Sequence, residues 1–356
     1  MAEIQIAPQE PAVRVTRSPL RGLTGLALAG ASTAALLGVY AYAIEPLNIE
    51  FACVEMQINA PGRLPARGLR ILQLADSHFC GGNRTARERK KIDRIRRLVD
   101  GLEYDLLIHT GDFIHYDSGL ELVRELLAAV PAPRLGRYAV YGNHDYTHYN
   151  MLVTLPRMWR TFQNLETARN RGANPLGRVT LAASRLPRFV WYVRNTPLDG
   201  KPIGANDTDA LSALLQEMDY QVLHNRSVHV IDPSLPLDIY LAGIDDLGQG
   251  TPHLADALAA IPAGEPAVLL SHNPDIIAHP ALDRVDAVIS GHTHGGQLQV
   301  PFWGPAHTQS AHLSRAQVSG QFSRGHTQFY VSRGIGEGIP LRFRTRPQVT
   351  LITLYG

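Results

Sequence analysis

Residues 287–297 read AVISGHTHGGQ. Ala287–Ser290 is a short apolar run of the kind a strand buried on both faces shows. It passes directly into Gly291-His292-Thr293-His294, where the two histidines alternate on an extended segment and can face one side. On its own such a block is a polar strand edge. The same arrangement recurs through the chain. Leu69–Ala75 runs into Asp76-Ser77-His78, and Leu106–Thr110 into Gly111-Asp112. Tyr138–Tyr141 runs into Gly142-Asn143-His144-Asp145, and Ala267–Ser271 into His272-Asn273. Further strand patterns lie at Ile239–Gly243, Gln328–Ser332 and Val349–Leu354, with helical patterns between them, which reads as an α/β fold. In α/β sheets ligands bind outside the carboxyl ends of strands. Five polar clusters at five strand ends therefore converge on one site.

The side chains gathered there are Asp76, His78, Asp112, Asn143, His272, His292 and His294. Oxygen and imidazole donors without thiolate suit Mn, Fe, Zn or Co and disfavour copper(I) and iron–sulfur centres. Seven donors exceed one tetrahedral ion and suit two divalent ions sharing a carboxylate. Two such ions carry a charge that the two aspartates only partly cancel, so the site attracts an anion such as a phosphoryl group.

The order Asp-x-His, Gly-Asp, Gly-Asn-His-Asp, a lone His, then Gly-His-x-His is similar to that of the calcineurin-like metallophosphoesterases. The resemblance runs from about Leu69 to the C-terminus. The blocks GHTHGGQ (Gly291–Gln297) and YVSRGIG (Tyr330–Gly336) resemble the bacterial exported or membrane-anchored branch. It implies a four-layer α/β/β/α sandwich and hydrolysis of a phosphoester or pyrophosphate by a hydroxide bridging two divalent ions. It implies that Asp76, His78 and His294 hold the first ion and Asn143, His272 and His292 the second. Asp112 would bridge both, and His144 would help the leaving oxygen depart. Asp145 would orient His144 or cap the following helix. His109, His115 and His148 match no ligand position and read as rim or core histidines, and Cys80 reads as a packing residue.

Other branches fit less well. An iron-tyrosinate site of the purple acid phosphatase type needs Tyr three residues after Asp112, where His115 stands. The Ser/Thr protein phosphatase extension of Gly-Asp is absent from Gly111–Asp117. No His-Glu-x-x-His and no P-loop pattern occurs.

The 356 residues carry a net charge of only +2, so no global field draws the protein to nucleic acid. The two cysteines, Cys53 and Cys80, cannot build a disulfide scaffold. Gly22–Ile44 is uncharged for 23 residues, long enough as a helix to cross a bilayer core of about 30 Å. Arg14, Arg17 and Arg21 precede it and Glu45, Glu50 and Glu55 follow. That bias gives a cytoplasmic tail (residues 1–21), a single-pass anchor in the bacterial inner membrane (22–44) and an extracytoplasmic catalytic domain (60–356). A signal peptide cleaved after Ala41-Tyr42-Ala43 and a buried core helix are the alternatives.

Met151–Ala205 reads as an insert, with nine Lys and Arg against two Asp and Glu, and with Trp159, Phe162, Phe189, Trp191 and Tyr192 interleaved. At the mouth of the site it would be a substrate cap that touches an anionic membrane, or else a solubilising decoration. A second basic run, Arg84–Arg97, has an apolar stripe of Ile92, Ile95, Leu98 and Val99, and its charged face reads as solvent-facing. The expected partners are a phosphorylated small-molecule or lipid substrate and the membrane. A UDP-diacylglucosamine-type pyrophosphate belongs to the cytoplasmic face, whereas cell-wall or phospholipid diesters fit the outward topology. The rival reading from another class is a non-catalytic, metal-stabilised envelope binding protein.

Overall fold

The structure is a computed structural model and describes residues 32–33, 35–149, 151–170, 184–196 and 202–356. Nearly half of the expected 22–44 span, residues 22–31 and 34, lies outside them. Residues 35–39 are helical, and Leu36, Leu37 and Val39 are exposed. Among the described residues no helix is long and apolar enough to cross a membrane. The chain divides into Met1–Tyr40 and Ala41–Gly356.

The second unit is built on two six-stranded sheets. In chain order its strands are β1 (Glu50–Gln57), β2 (Leu69–Leu74), β3 (Leu106–His109), β4 (Arg137–Ala139), β5 (Tyr220–Val222), β6 (Arg226–Asp232), β7 (Leu237–Gly243), β8 (Ala267–Leu270), β9 (Ala287–Ser290), β10 (Gly320–Arg324), β11 (Thr327–Val331) and β12 (Gln348–Tyr355). The first sheet runs β1-β12-β2-β3-β4-β5 and the second β10-β11-β9-β8-β7-β6. Strands β2, β3, β4 and β5 are mutually parallel, as are β7, β8, β9 and β11. All five motif-bearing strands therefore present their carboxyl ends at a sheet edge.

Period-two burial explains why these strands read as continuous apolar runs. Leu69, Ile71, Leu106 and Ile108 meet Ile239, Leu241, Val268, Leu270 and Ile289 in one core between the sheets. The alternate residues Leu72, Leu74 and Leu107 face outward, onto helices Thr85–Val99, Leu120–Ala129 and Thr208–Glu217. On the other sheet, Ala242, Leu269 and Val288 pack under Leu254–Ala257 and the turns at Pro274–Ala278 and Pro280–Arg284.

All eight expected strands form, with ends within two residues of their sequence limits. Strands β1, β5, β6 and β10 lack a comparable apolar run, because they are short or lie at the sheet edges. The basic helix departs from its sequence reading. Leu98 is exposed, while Glu88 and Lys91 join Ile92, Ile95 and Val99 in the buried face. Lys91 is held there by the Ile335 carbonyl (3.0 Å) and Glu337 (2.5 Å). The insert contains helices Met151–Asn170 and Arg185–Asn195. Trp159, Phe162, Phe189 and Tyr192 cluster between them, beside a Glu166–Arg188 ion pair.

Candidate metal centre

The polar clusters at the strand ends come together in a buried constellation. Asp76 and His78 follow β2, Asp112 follows β3, and Asn143 opens a four-residue helix after β4. His272 follows β8, and His292 and His294 follow β9. Asp76, His78, Asp112, His292 and His294 all have positive φ, between 45° and 73°. Non-glycine residues avoid that region at a cost of about 1 kcal/mol or more each, so it persists only where the surroundings dictate it. Two glycines make the close packing feasible. A Cβ on Gly142 would meet the Asp112 carboxylate, and one on Gly291 would meet that of Asp76.

The donors fall into two groups joined at Asp112. His78 Nε2 lies 2.9 Å from His294 Nε2, which lies 4.0 Å from Asp76 Oδ1. His272 Nε2 lies 3.1 Å from His292 Nδ1 and 3.2 Å from Asn143 Oδ1. Asp112 Oδ2 is 3.3 Å from both His78 Nε2 and His272 Nε2. Donors bound at about 2.1 Å to one ion stand about 3.0–3.4 Å apart, so the 2.9–3.3 Å separations fit the edges of coordination polyhedra, while Asp76 Oδ1 at 4.0 Å stands slightly wider. Asp76 Oδ2 is buried without a hydrogen-bond partner. The residues thus fit divalent ions. His78, His115 and His144 form a third group of converging ring nitrogens.

Neighbours fix how several of these donors are presented. His272 Nδ1–H donates to the Thr110 carbonyl (2.8 Å), which aims Nε2 inward. Asp76 Oδ1 accepts from His292 N (2.7 Å), and Asp112 Oδ1 from His144 N (2.8 Å). Asp145 does not touch the His144 ring. Its carboxylate accepts from the amides of Asp112 (2.8 Å), Phe113 (2.7 Å), Gly142 (2.9 Å) and Ile114 (3.3 Å). It therefore clamps the Asp112 loop to the Gly142 turn.

The electrostatics call for cations. Burial lifts the Asp76 carboxyl to about 7. Burial alone would lower His272, but Asp112, Asp76 and Asp246 override it and raise the ring to about 10. Burial would raise Asp112, yet His272, His78 and His144 hold it well below the carboxylate range. Burial keeps His78 and His294 neutral. Protons on His272 and Asp76 must leave when a metal enters. Metal affinity is then expected to rise with pH, about tenfold per unit through 7–9 for the His272 proton, and to fall further as Asp76 protonates below 7. Calorimetry in buffers of different ionisation enthalpy should read at least about one proton released per chain at pH 8. Metal uptake independent of pH would refute this.

Four neighbours of the site carry no signal in the sequence. The His115 ring stacks on His144 at 4.7 Å and lies 5.9 Å from His78, so it walls the site and is no rim residue. Arg342 is fully buried; its Nη2 is 3.4 Å from His294 Nδ1 and donates to the Arg333 carbonyl (2.8 Å). Its charge opposes protonation of His294. Asp246 is buried with Oδ1 unpaired. Asn206 donates to the His144 carbonyl (2.7 Å) and pairs with His148. His109, by contrast, is core: it stacks on Phe113 at 3.6 Å and pairs with Ser77 Oγ.

Comparison with known proteins gives the same class. Residues 69–296 match the family model described as calcineurin-like phosphoesterase. The chain belongs to that family. It is a metal-dependent phosphoester hydrolase, which sets aside the binding-protein reading. Similar proteins include metallophosphoesterase YkuE of Bacillus subtilis, 28% identical over 95% of this chain and 96% of that protein. The UDP-2,3-diacylglucosamine pyrophosphatase LpxG of Chlamydia muridarum is 29% identical over 82% of this chain and 86% of its own length. A transmembrane protein with metallophosphoesterase domain from Danio rerio is 30% identical over 81% of this chain and 53% of its own.

Proposed function

We propose that this calcineurin-like enzyme is a membrane-anchored, dinuclear phosphoesterase that hydrolyses a phosphoester or pyrophosphate bond of an envelope or lipid-linked substrate. The observation that carries the dinuclear reading is Asp112, whose Oδ2 stands 3.3 Å from both His78 and His272 and so belongs to both donor groups. In this reading Asp76, His78 and His294 hold one divalent ion, Asn143, His272 and His292 the other, and Asp112 is shared. Divalent ions bound there supply Lewis acidity and lower the pKa of water toward about 7. Asn143 contributes a carbonyl without charge, which leaves its group the more electrophilic. The insert (151–205) is a cap over the site.

His144 is kept neutral, lowered to about 3 by burial, so its ring acts on the leaving oxygen as a hydrogen-bond donor. His144→Ala should lower turnover about 10²-fold for an alkyl ester, whose leaving oxygen needs a donor, and far less for a p-nitrophenyl ester. Equal losses on both esters would remove this role.

Two Chlamydia relatives are named UDP-2,3-diacylglucosamine pyrophosphatase, which supports a pyrophosphate joining a nucleotide to an acylated sugar. The flanking charges of residues 22–44 and the name of the Danio rerio relative support membrane association. The test takes the full chain in vesicles and measures bound metal, then turnover of UDP-2,3-diacylglucosamine, a phospholipid diester and p-nitrophenyl phosphates. About two ions per chain with turnover of a lipid substrate is the expected result. One ion with full activity overturns the dinuclear reading, and turnover confined to water-soluble esters overturns the lipid substrate.

A further inference from the structure

Immediately after GHTHGGQ the chain makes a small hairpin, with Gln299–Val300 antiparallel to Gly304–Pro305. Its tip is Val300-Pro301-Phe302-Trp303, closed by Trp303 N donating to the Val300 carbonyl (3.0 Å). Phe302 is 105% exposed, Trp303 60% and Val300 39%. Phe302 also has a φ of 65°. A turn with Pro at its second position and positive φ at its third ordinarily takes Gly or Asn there. A phenylalanine held in a strained conformation, entirely in solvent, has no packing reason among the described residues. Strain of this kind points to function.

The hairpin does not stand alone. Its base is tied to Phe343 by a bridge from Leu298 and by Gln299 N donating to the Phe343 carbonyl (2.8 Å). The preceding residue, Arg342, donates its backbone N–H to the carbonyl of Ala41 (2.9 Å). Ala41 belongs to the last part of the uncharged run Gly22–Ile44, and Tyr42 and Ile44 beside it are each 53% exposed. Adjacent residues of one segment thus hold the aromatic tip and the end of the apolar run. Arg87 lies over the Tyr42 ring (4.8 Å) and also lines a cleft, with Arg84 and Lys91, that reaches His78. Exposed aromatic tip, end of the apolar run and cleft are therefore linked. Phe and Trp seat well at the boundary of headgroups and acyl chains, and Arg344, exposed next to Phe343, suits anionic headgroups.

We infer that the hairpin 299–305 is a membrane wedge whose Phe302 and Trp303 enter the headgroup–acyl boundary and set the metal cleft against the lipid surface. This deepens the lipid-substrate reading above, but it is read out without hydrolysis and so fails separately from it.

Phe replaces Trp159 and Trp191 in the full chain, which leaves Trp303 as the sole tryptophan of the three. The protein is reconstituted in vesicles of phosphatidylethanolamine and phosphatidylglycerol. Lipids brominated near the carbonyl end of the acyl chains should quench most of the Trp303 emission, and aqueous acrylamide should quench little. Emission open to acrylamide and untouched by bromine overturns the inference. So does protection from both quenchers, which would mean that a second copy of the chain covers the tip. Should the two-Phe variant fail to fold, Phe302→Ser with Trp303→Ser provides an independent test. It should retain turnover of a soluble p-nitrophenyl ester and lose several-fold on an ester embedded in vesicles. An unchanged ratio between the two esters overturns the wedge.

Discussion

Asp112→Asn should abolish metal-dependent turnover, by about 10³-fold or more, equivalent to at least about 4 kcal/mol of barrier. The substitution keeps size and shape but removes the one charge common to both donor groups. Asp112 Oδ2 is 3.3 Å from His78 Nε2 and from His272 Nε2, and every partner is buried. An amide leaves either a neutral oxygen or an N–H facing those nitrogens. The opposing charge on His272 also loses its strongest partner: Asp112 contributes most to lifting this ring to about 10 against burial. In the variant His272 should titrate lower, and metal content should fall together with turnover. Mass spectrometry of the folded protein reads the metal, and hydrolysis of bis-p-nitrophenyl phosphate reads the activity. Full metal content with full activity would remove Asp112 from its proposed place.

Asp145→Asn should act differently, through stability and then through metal. The wild-type carboxylate accepts from four backbone amides, those of Asp112, Phe113, Gly142 and Ile114, in a buried setting. Burial and the nearby Asp112 charge push this carboxyl up, and the amides oppose that shift. An asparagine can offer one oxygen only, so its NH₂ group meets donors. Leaving buried donors unpaired costs about 1–3 kcal/mol each, and about 3 kcal/mol in all is expected. In a domain of this size that lowers Tm by about 6–12 °C. Because the same carboxylate aligns the Asp112 loop with the Gly142 turn, metal affinity should fall as well. Thermal melts with and without added Mn would separate the two effects. A melt unchanged within about 1 °C would show that the clamp contributes nothing.

The expected strands appeared because burial on both faces writes a mostly apolar run into the sequence, as at Leu106–Ile108 and Ala287–Ile289. The candidate metal-binding residues that the structure brings together were equally visible, since metal chemistry admits few residue types and each lies within a few positions of a strand end. The same logic fails where a residue's meaning lies in a distant partner. Lys91 belongs to a basic run, and nothing local shows that Glu337 and the Ile335 carbonyl will bury it. Arg342 resembles its neighbours Arg344 and Arg346 in sequence, yet it alone is fully buried against the carbonyls behind His294. His115 was read from the ligand pattern it does not fit, while its stacking on His144 comes from the turn after β3. Asp145 could orient His144 or play the structural role that its place beside a helix favours, and the amides of a loop more than thirty residues away supply the partners for that structural role.

From its sequence alone this protein declares an α/β framework and the polar side chains that gather at its strand ends, because periodicity and side-chain chemistry are local properties of the chain. Which charges are buried, which histidines wall the site and where the aromatic hairpin stands were settled by folding. Each depends on pairing residues far apart in sequence, and desolvation makes such a pairing favourable only when both partners are brought together.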